Sequence, residues 1–277
     1  ATYNENESGM QKAYERNFMD PMLKAYNILA YTNDSSAVVI DMTDFFGKHN
    51  EMMPALPKEV GGIISVSASP NSEGFALRDL KAFDDNVSIK TDMAYNVSMS
   101  IMGMFTIRSN DPVSLQVTRT LLLLPEERMR PRVSDSRVGI FLTDKINLST
   151  EEDGLQTYSL AHRWRLEPKD MEAYKRGELV EPVKPIVFYL DDAFPELWRE
   201  PIKEGTMRWN KAFEKIGFKN VVQVLDFPKN DPNFDPDNLK YSCIRYVPST
   251  TANAMGPSWV DPMTGEIINA SVLVYND

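Results

Sequence analysis

The chain has one cysteine, Cys243, in 277 residues. That excludes an internal disulfide framework, so the fold must stand on packing. Histidine is nearly as scarce, with only His49 and His162. A zinc site needs about three or four His, Cys or carboxylate ligands converging on one ion. The chain contains no HExxH, no CxxC and no histidine pair at helical spacing. A zinc site built wholly from these residues is therefore not expected. Long apolar runs are missing as well, none approaching the roughly 18 residues of a membrane span. Positive charge is outnumbered, 30 Lys and Arg against 40 Asp and Glu, for a formal charge of -10. Nucleic-acid binding requires a concentrated basic face, so that class is excluded too.

What is present is ordinary globular composition, at a length for which two domains is the fair expectation. The chain begins at Ala1 in the polar stretch ATYNENESG, which fits a mature or trimmed protein from which any export signal has gone. No internal repeat or low-complexity tract is seen.

From Asn86 to Ile101 the sequence alternates with period two, Ile89, Met93 and Tyr95 on one side and Ser88, Lys90 and Asp92 on the other. This is a long half-buried strand. A second alternating run, Val113 to Leu124, follows SNDP, whose residues suit a turn, and the pair suggests an antiparallel hairpin. AYNILAY and AVVIDM, separated by TNDSS, suggest another. Short helices are expected before Met22 and near Phe45. Residues 1–165 thus read as mainly antiparallel β, a sandwich or a strongly curved sheet that is wet on one face.

Between 166 and 183 three prolines and dense charge surround a short helix-like piece ending at Gly177. This stretch is a linker or an irregular arm packed on the domain surface. From 184 to 277 the pattern changes. PIVFYL is a continuous apolar run typical of a strand covered on both faces. Pro195 then opens a helix in which Trp198, Ile202, Gly205, Trp209, Ala212, Phe213 and Ile216 recur at helical spacing, with Gly217 placed to end it. The strands VVQVLDF and SCIRYV and a terminal two-stranded ribbon follow. The fold class is α+β, its second part running β-α-β-β-β-β around a parallel unit.

Few residues here carry chemistry without a plainer account. Asp231, Asn233, Asp235 and Asp237 alternate as in a calcium loop, yet Pro236 and Ser242 stand where an EF-hand needs Gly and Glu, so a solvated turn is the better reading. Asp191 and Asp192 could pair as acid and base, or cap the coming turn and helix. Cys243 lies in a buried strand and reads as core. Trp198 and Trp209 read as core also.

The ribbon is different. DPMTG, Asp261 to Gly265, reverses the chain. Gly256-Pro257 before it limits regular pairing, which places Asn253, Ala254, Met255, Gly256 and Pro257 in an edge strand. An exposed edge offers free N–H and C=O groups to an extended peptide; the plain alternative is a structural hairpin.

RWRLEPKD, RGELVEPVKPIVFYLDDAFPELWR, WNKAFEKIGFKN, YSCIRYV and ANAMGPSWVDPMTGEIINASVLVY, with ALRDLKAF and LLLLPEERMRPRVSDSRVGIF upstream, resemble the large metzincin-type zinc metallopeptidases of Bacteroidota. The likeness covers most of 75–277. It implies a β-rich accessory or pro-region over 1–165, a linker over 166–183, and over 184–277 the upper part of a catalytic domain. In such proteases an edge strand lines the cleft and pairs with substrate, a role that falls here on Asn253 to Pro257. The family's next landmark, HExxHxxGxxH, would supply three histidines for zinc and a glutamate acting on zinc-bound water. No position in this sequence matches it, so no catalytic or metal residue is assigned. Zinc is expected in the parent protein and none on this chain.

The implied protein is an exported endopeptidase, periplasmic, outer-membrane-associated or extracellular, whose N-terminal part is inactive alone. Its partners would be a peptide or protein substrate and the remaining C-terminal part of the same protein. A non-catalytic module that captures peptides or a partner on its sheet edge is the alternative. Met129 to Phe141 could lie in the cleft as an inhibitory pro-segment, or form a surface strand with an arginine-rich entry.

Overall fold

The computed structural model describes residues 2–276 apart from 4–5, 20–21, 23, 57–58, 61–63, 103, 150, 152–154 and 250–251. The fold is α+β and mostly β. The chain divides into two compact units, one holding 20–123 and the other 1–19 together with 124–277. These units do not follow the division at 165 and 183 expected from the sequence.

The second unit opens with β1 (Thr2–Tyr3) and α1 (Ser8–Asn17). The chain then builds the first unit from β2 (Ile28–Tyr31), β3 (Val38–Ile40), α2 (Thr43–Gly47), β4 (Glu59–Val60), β5 (Ile64–Ala82), β6 (Asn86–Ile101) and β7 (Phe105–Leu122). β2 and β3 form the expected hairpin, and α2 is the expected helix near Phe45. β4 to β7 make one four-stranded antiparallel sheet in sequence order. Alternation in β6 buries Ile89, Thr91, Met93 and Tyr95 on one face. Arg119 of β7 lies beneath Phe46 of α2, donating from Nη1 to the Phe46 carbonyl at 2.8 Å, and the Thr91 hydroxyl donates to the same oxygen at 3.2 Å.

The β6–β7 turn is not at SNDP. The chain reverses at Ile101 to Met104, where Met104 N–H donates to the Ile101 carbonyl and Met102 takes φ 51°. Ser109 to Pro112 lies inside β7 at a register irregularity opposite Val97 to Met99. Asn110 adopts φ 58° there and donates its N–H to the Ser98 hydroxyl at 3.0 Å. Turn-favouring residues serve equally well in a bulge, because both need a left-handed backbone. β5, not read as a strand, is broken in the same way near Pro70. A Cβ on Gly74 beside that irregularity would sit 2.4 Å from Ala94 Cβ, so only glycine allows the strands to meet.

The remaining elements return to the second unit: β8 (Leu142–Leu148), β9 (Gln156–Ala161), α3 (Met171–Lys175), β10 (Ile186–Leu190), α4 (Glu196–Met207), α5 (Asn210–Glu214), β11 (Val222–Asp226), β12 (Ser242–Pro248), β13 (Asn253–Met255), β14 (Ser258–Val260) and β15 (Ile267–Asn276). β1, β8 and β9 form a small sheet. The larger sheet has the order β11-β10-β12-β15-β13, with β14 also on β15. β10 pairs in parallel with β11 and β12, β12 in parallel with β15, and β13 and β14 run antiparallel to β15.

Two apolar clusters hold this sheet. Ile186, Val221 and Val222 pack with Phe218, Ala173 and Val180. Leu190, Val224 and Ile244 pack with Phe194, Trp198 and Ile202. Ala173 and Val180 belong to 166–183, and Lys169 and Val183 N–H groups bond across to the Glu181 and Glu167 carbonyls. That stretch is an ordered arm in the core of its unit.

The expected helix from 196 to 216 is divided. Pro201 sits inside α4, and α5 begins after Arg208 and Trp209. Trp198 packs edge-on against Tyr246, whereas Trp209 is 65% exposed, which corrects its expected place in the core. Trp209 precedes the first residue of α5, where its ring stands at the mouth of the space under α4 instead of filling it.

Candidate peptide-binding edge

Among the described residues, β13 ends the larger sheet and is hydrogen-bonded to β15 on one side only. Asn253, Ala254, Met255, Gly256 and Pro257 are all exposed. Asn253 faces Tyr275, Met255 faces Leu273, and beyond the glycine-proline pair Ser258 faces Ala270 and Trp259 faces Asn269. The register is the same on both sides, but neither strand includes Gly256 or Pro257, so the pair interrupts regular pairing as its missing N–H requires. Pro257 lacks an N–H but still accepts, through its carbonyl, from Ser271 N–H at 2.9 Å.

That bond sets the orientation of the strand. In an antiparallel pair, residues alternate between facing the partner and facing away. With Pro257 bonded inward, Met255 and Asn253 face β15, while Ala254 and Gly256 direct their N–H and C=O groups outward. Asn253 Oδ1 accepts from Ala254 N–H at 2.8 Å. Among the described residues, the outward groups without a hydrogen-bond partner are the Ala254 carbonyl and both groups of Gly256. A donor flanked by two acceptors is what one extended backbone can pair with.

The turn behind the edge is fixed by burial. Asp261 is fully buried, and its carboxylate accepts from Met263 N–H at 2.9 Å and from the Thr264 hydroxyl at 2.9 Å. Gly265 takes φ 76°, and a Cβ there would lie 2.4 Å from the Ala161 carbonyl oxygen. Arg163 N–H donates to the Gly265 carbonyl, and Ile267 N–H returns to the Arg163 carbonyl. Arg165 then grips Glu266 with two bonds, Nε at 2.9 Å and Nη2 at 2.8 Å. The Glu266 contact raises the Arg165 guanidinium above its ordinary value. Sequence inspection missed Arg163, Arg165 and Glu266 as supports of the edge. The only available signal was RWR, since the pairing spans 101 residues.

Other sequence candidates stay apart from this edge. Asp191 caps its own turn, accepting from Ala193 N–H at 3.0 Å and from Tyr246 N–H at 3.3 Å. Cys243 is 2% exposed, and burial pushes its thiol up to about 11. The 231–238 turn is more than a solvated loop, because the Phe234 ring packs at a tilt against Tyr189, Phe227 and Tyr241, and Asn238 is buried. No group of three or more His, Cys, Asp or Glu is placed to hold a metal ion among the described residues. In the 129–141 segment, Ser134 N–H donates to Ser159 of β9, and Ala161 and His162 N–H groups donate to Arg132 and Phe141. No described helix is long and apolar enough to cross a membrane.

A family model described as a domain of unknown function, DUF5117, matches residues 1–169. The chain belongs to the DUF5117 family. No curated protein matches it, and no solved structure does. The DUF5117 match covers β1 to β9 and stops before α3, so the candidate edge lies outside the matched residues. The end of the match, 124–169, shares its compact unit with the edge, and there Arg163 and Arg165 hold the turn at Gly265 and Glu266.

Proposed function

We propose that this DUF5117 chain is the N-terminal part of an exported, zinc-dependent endopeptidase of metzincin type, and that it supplies the strand on which substrate is laid. The observation that carries this reading is the outward display of Ala254 and Gly256 backbone groups from the end of a mixed sheet. Support comes also from the elements around it, each with a counterpart in the resemblance: a first strand at β10, a backing helix divided between α4 and α5, and β15 as the strand that follows the ribbon's turn. In this reading zinc is held by residues outside this chain and would polarise the scissile carbonyl and activate water. The chain's own residues bind and orient the peptide, and contribute no acid, base or metal ligand.

The test uses the full reading frame. HExxHxxGxxH within about a hundred residues after Asp277 is expected, a distance guided by loop-length priors. Protein made from that frame should cleave a generic protein substrate in a chelator-sensitive way, and this chain alone should not. A frame that continues into an unrelated domain overturns the reading and favours a non-catalytic module that captures extended peptides on the same edge.

A further inference from the structure

The first unit protects one edge of its sheet and leaves the other open. Strand edges offer free N–H and C=O groups to another chain, and soluble proteins blunt them with charge, proline or bulges. β5 is blunted in this way. β4 covers it only at Val66 and Ser67, and the rest of the strand carries Pro70, Gly74, two register irregularities and the charges of Glu73, Arg78, Asp79 and Lys81. β7 is not. Among the described residues it pairs only with β6, and from 113 to 122 that pairing runs without a break. This stretch, VSLQVTRTLL, has no proline, no glycine and a single charge. The charge is Arg119, which is turned inward onto the Phe46 and Met53 carbonyls.

The side chains of 113–122 suit a second copy of themselves. Ser114, Gln116 and Thr118 form an exposed, uncharged polar row, while Val113, Leu115 and Val117 are half-buried on the face that carries Arg119 and α2. Antiparallel neighbours share a face, so a two-fold axis perpendicular to the sheet near Val117 sets polar row beside polar row and apolar beside apolar. No like charges meet across it. About ten hydrogen bonds would form, the number in an ordinary protein interface. Pairing of β7 with β5 of another copy would propagate head to tail, and the proline, irregularities and charges of β5 oppose it, which leaves the arrangement that closes.

We infer that β7 is a homodimer edge, along which two copies of this chain pair antiparallel through 113–122 and join their four-stranded sheets into one. The inference rests on the first unit alone and uses neither zinc nor the β13 edge, so it stands or falls apart from the proposed function.

The test is sedimentation velocity of the full chain over a concentration series from about 1 to 200 μM, with hydrogen exchange at both ends of the series. A reversible monomer–dimer equilibrium with a micromolar midpoint is expected for an interface of this size. Salt should strengthen it or leave it unchanged, since each copy carries a charge of -10. Amides of 113–122 should gain protection as concentration rises. Two variants probe the pairing itself. Gln116→Lys sets its new charge opposite Asp92 of β6, and Thr118→Glu sets its own opposite Lys90, so each suits its own fold, which urea midpoints check. Across the two-fold each variant meets its own charge again and should dimerise about fivefold more weakly or worse. An equimolar mixture should recover the loss, because the new lysine of one copy then lies beside the new glutamate of the other. A monomer at every concentration, growth past the dimer, variants that dimerise like the unaltered chain, or a mixture no tighter than either variant overturns the inference. So does protein from the full reading frame that stays monomeric where this chain dimerises, which would assign the edge to the rest of the same protein.

Discussion

The backbone N–H of Ser271 reaches the carbonyl of Pro257 at 2.9 Å, so the proline that interrupts the ribbon still keeps its place opposite β15. Because the register on either side of it is unchanged, the outward groups of the edge are determined: Gly256 presents both its N–H and its C=O, Ala254 its C=O. Gly256→Pro removes the outward donor and leaves every inward bond. In protein from the full reading frame it is expected to lower kcat/KM on a generic protein substrate about tenfold, the scale of one hydrogen bond with its desolvation. Gly256→Ala should change kcat/KM less than about twofold, since its Cβ would meet only Val272 at 3.9 Å. Equal effects of the two variants would mean that substrate does not pair with this edge.

The turn that presents the edge depends on Arg165 and Glu266, whose side chains are 26% and 12% exposed. Removing one partner of a shielded, doubly bonded ion pair leaves a charge without its counterpart. Glu266→Gln is expected to lower stability by about 2 kcal/mol in urea unfolding. Replacing both residues by methionine should restore most of that loss. Additive losses in the double variant would show that the two side chains act independently.

Some of this was legible in the sequence and some was not, for physical reasons. β6 declared itself because its buried and solvent-facing residues alternate, and β10 because both its faces are covered. The edge was readable from Gly256-Pro257 because proline's missing N–H confines it to few places in a sheet. The β6–β7 turn was misplaced because Asn110 uses a left-handed conformation that turns and bulges share. Trp209 follows the apolar helical pattern, but periodicity cannot show that the space it points toward stays unfilled. Arg165 and Glu266 meet only through the tertiary fold, and no local pattern pairs residues so far apart.

Cys243 gives a pH prediction. Desolvation by burial raises its thiol from the usual 9.0 to about 11, against a smaller opposing influence from Arg245. The unfolded chain therefore loses this proton first as pH rises. The associated stability is complete below pH 9 and is lost progressively toward pH 11. Relative to Cys243→Ala, the protein should lose up to about 3 kcal/mol across that window, measured by urea unfolding at stepped pH. At pH 8 the native thiol should resist an aromatic disulfide reagent until denaturant is added. Prompt native reaction would mean that the strand around Cys243 opens readily.

Arg119 is the strongest test of the first unit. It is 5% exposed, and desolvation lowers its guanidinium below the ordinary value. Nη1 and Nη2 donate to the carbonyls of Phe46 and Met53, at 2.8 Å and 3.2 Å, while Nε has no hydrogen-bond partner among the described residues. The cation thus closes the C-terminal end of α2, where unpaired carbonyls favour positive charge. Its long stem fills space beside Met93, whose sulfur lies 3.4 Å from Nη2. Two contributions can be separated by substitution. Arg119→Ala loses both the packing and the bonds and should cost about 3 kcal/mol. Arg119→Met keeps most of the volume and removes the desolvated charge, so it should cost less than about 1.5 kcal/mol. If methionine proves as damaging as alanine, the hydrogen bonds to Phe46 and Met53 hold α2 on the sheet, and packing around Met93 contributes little.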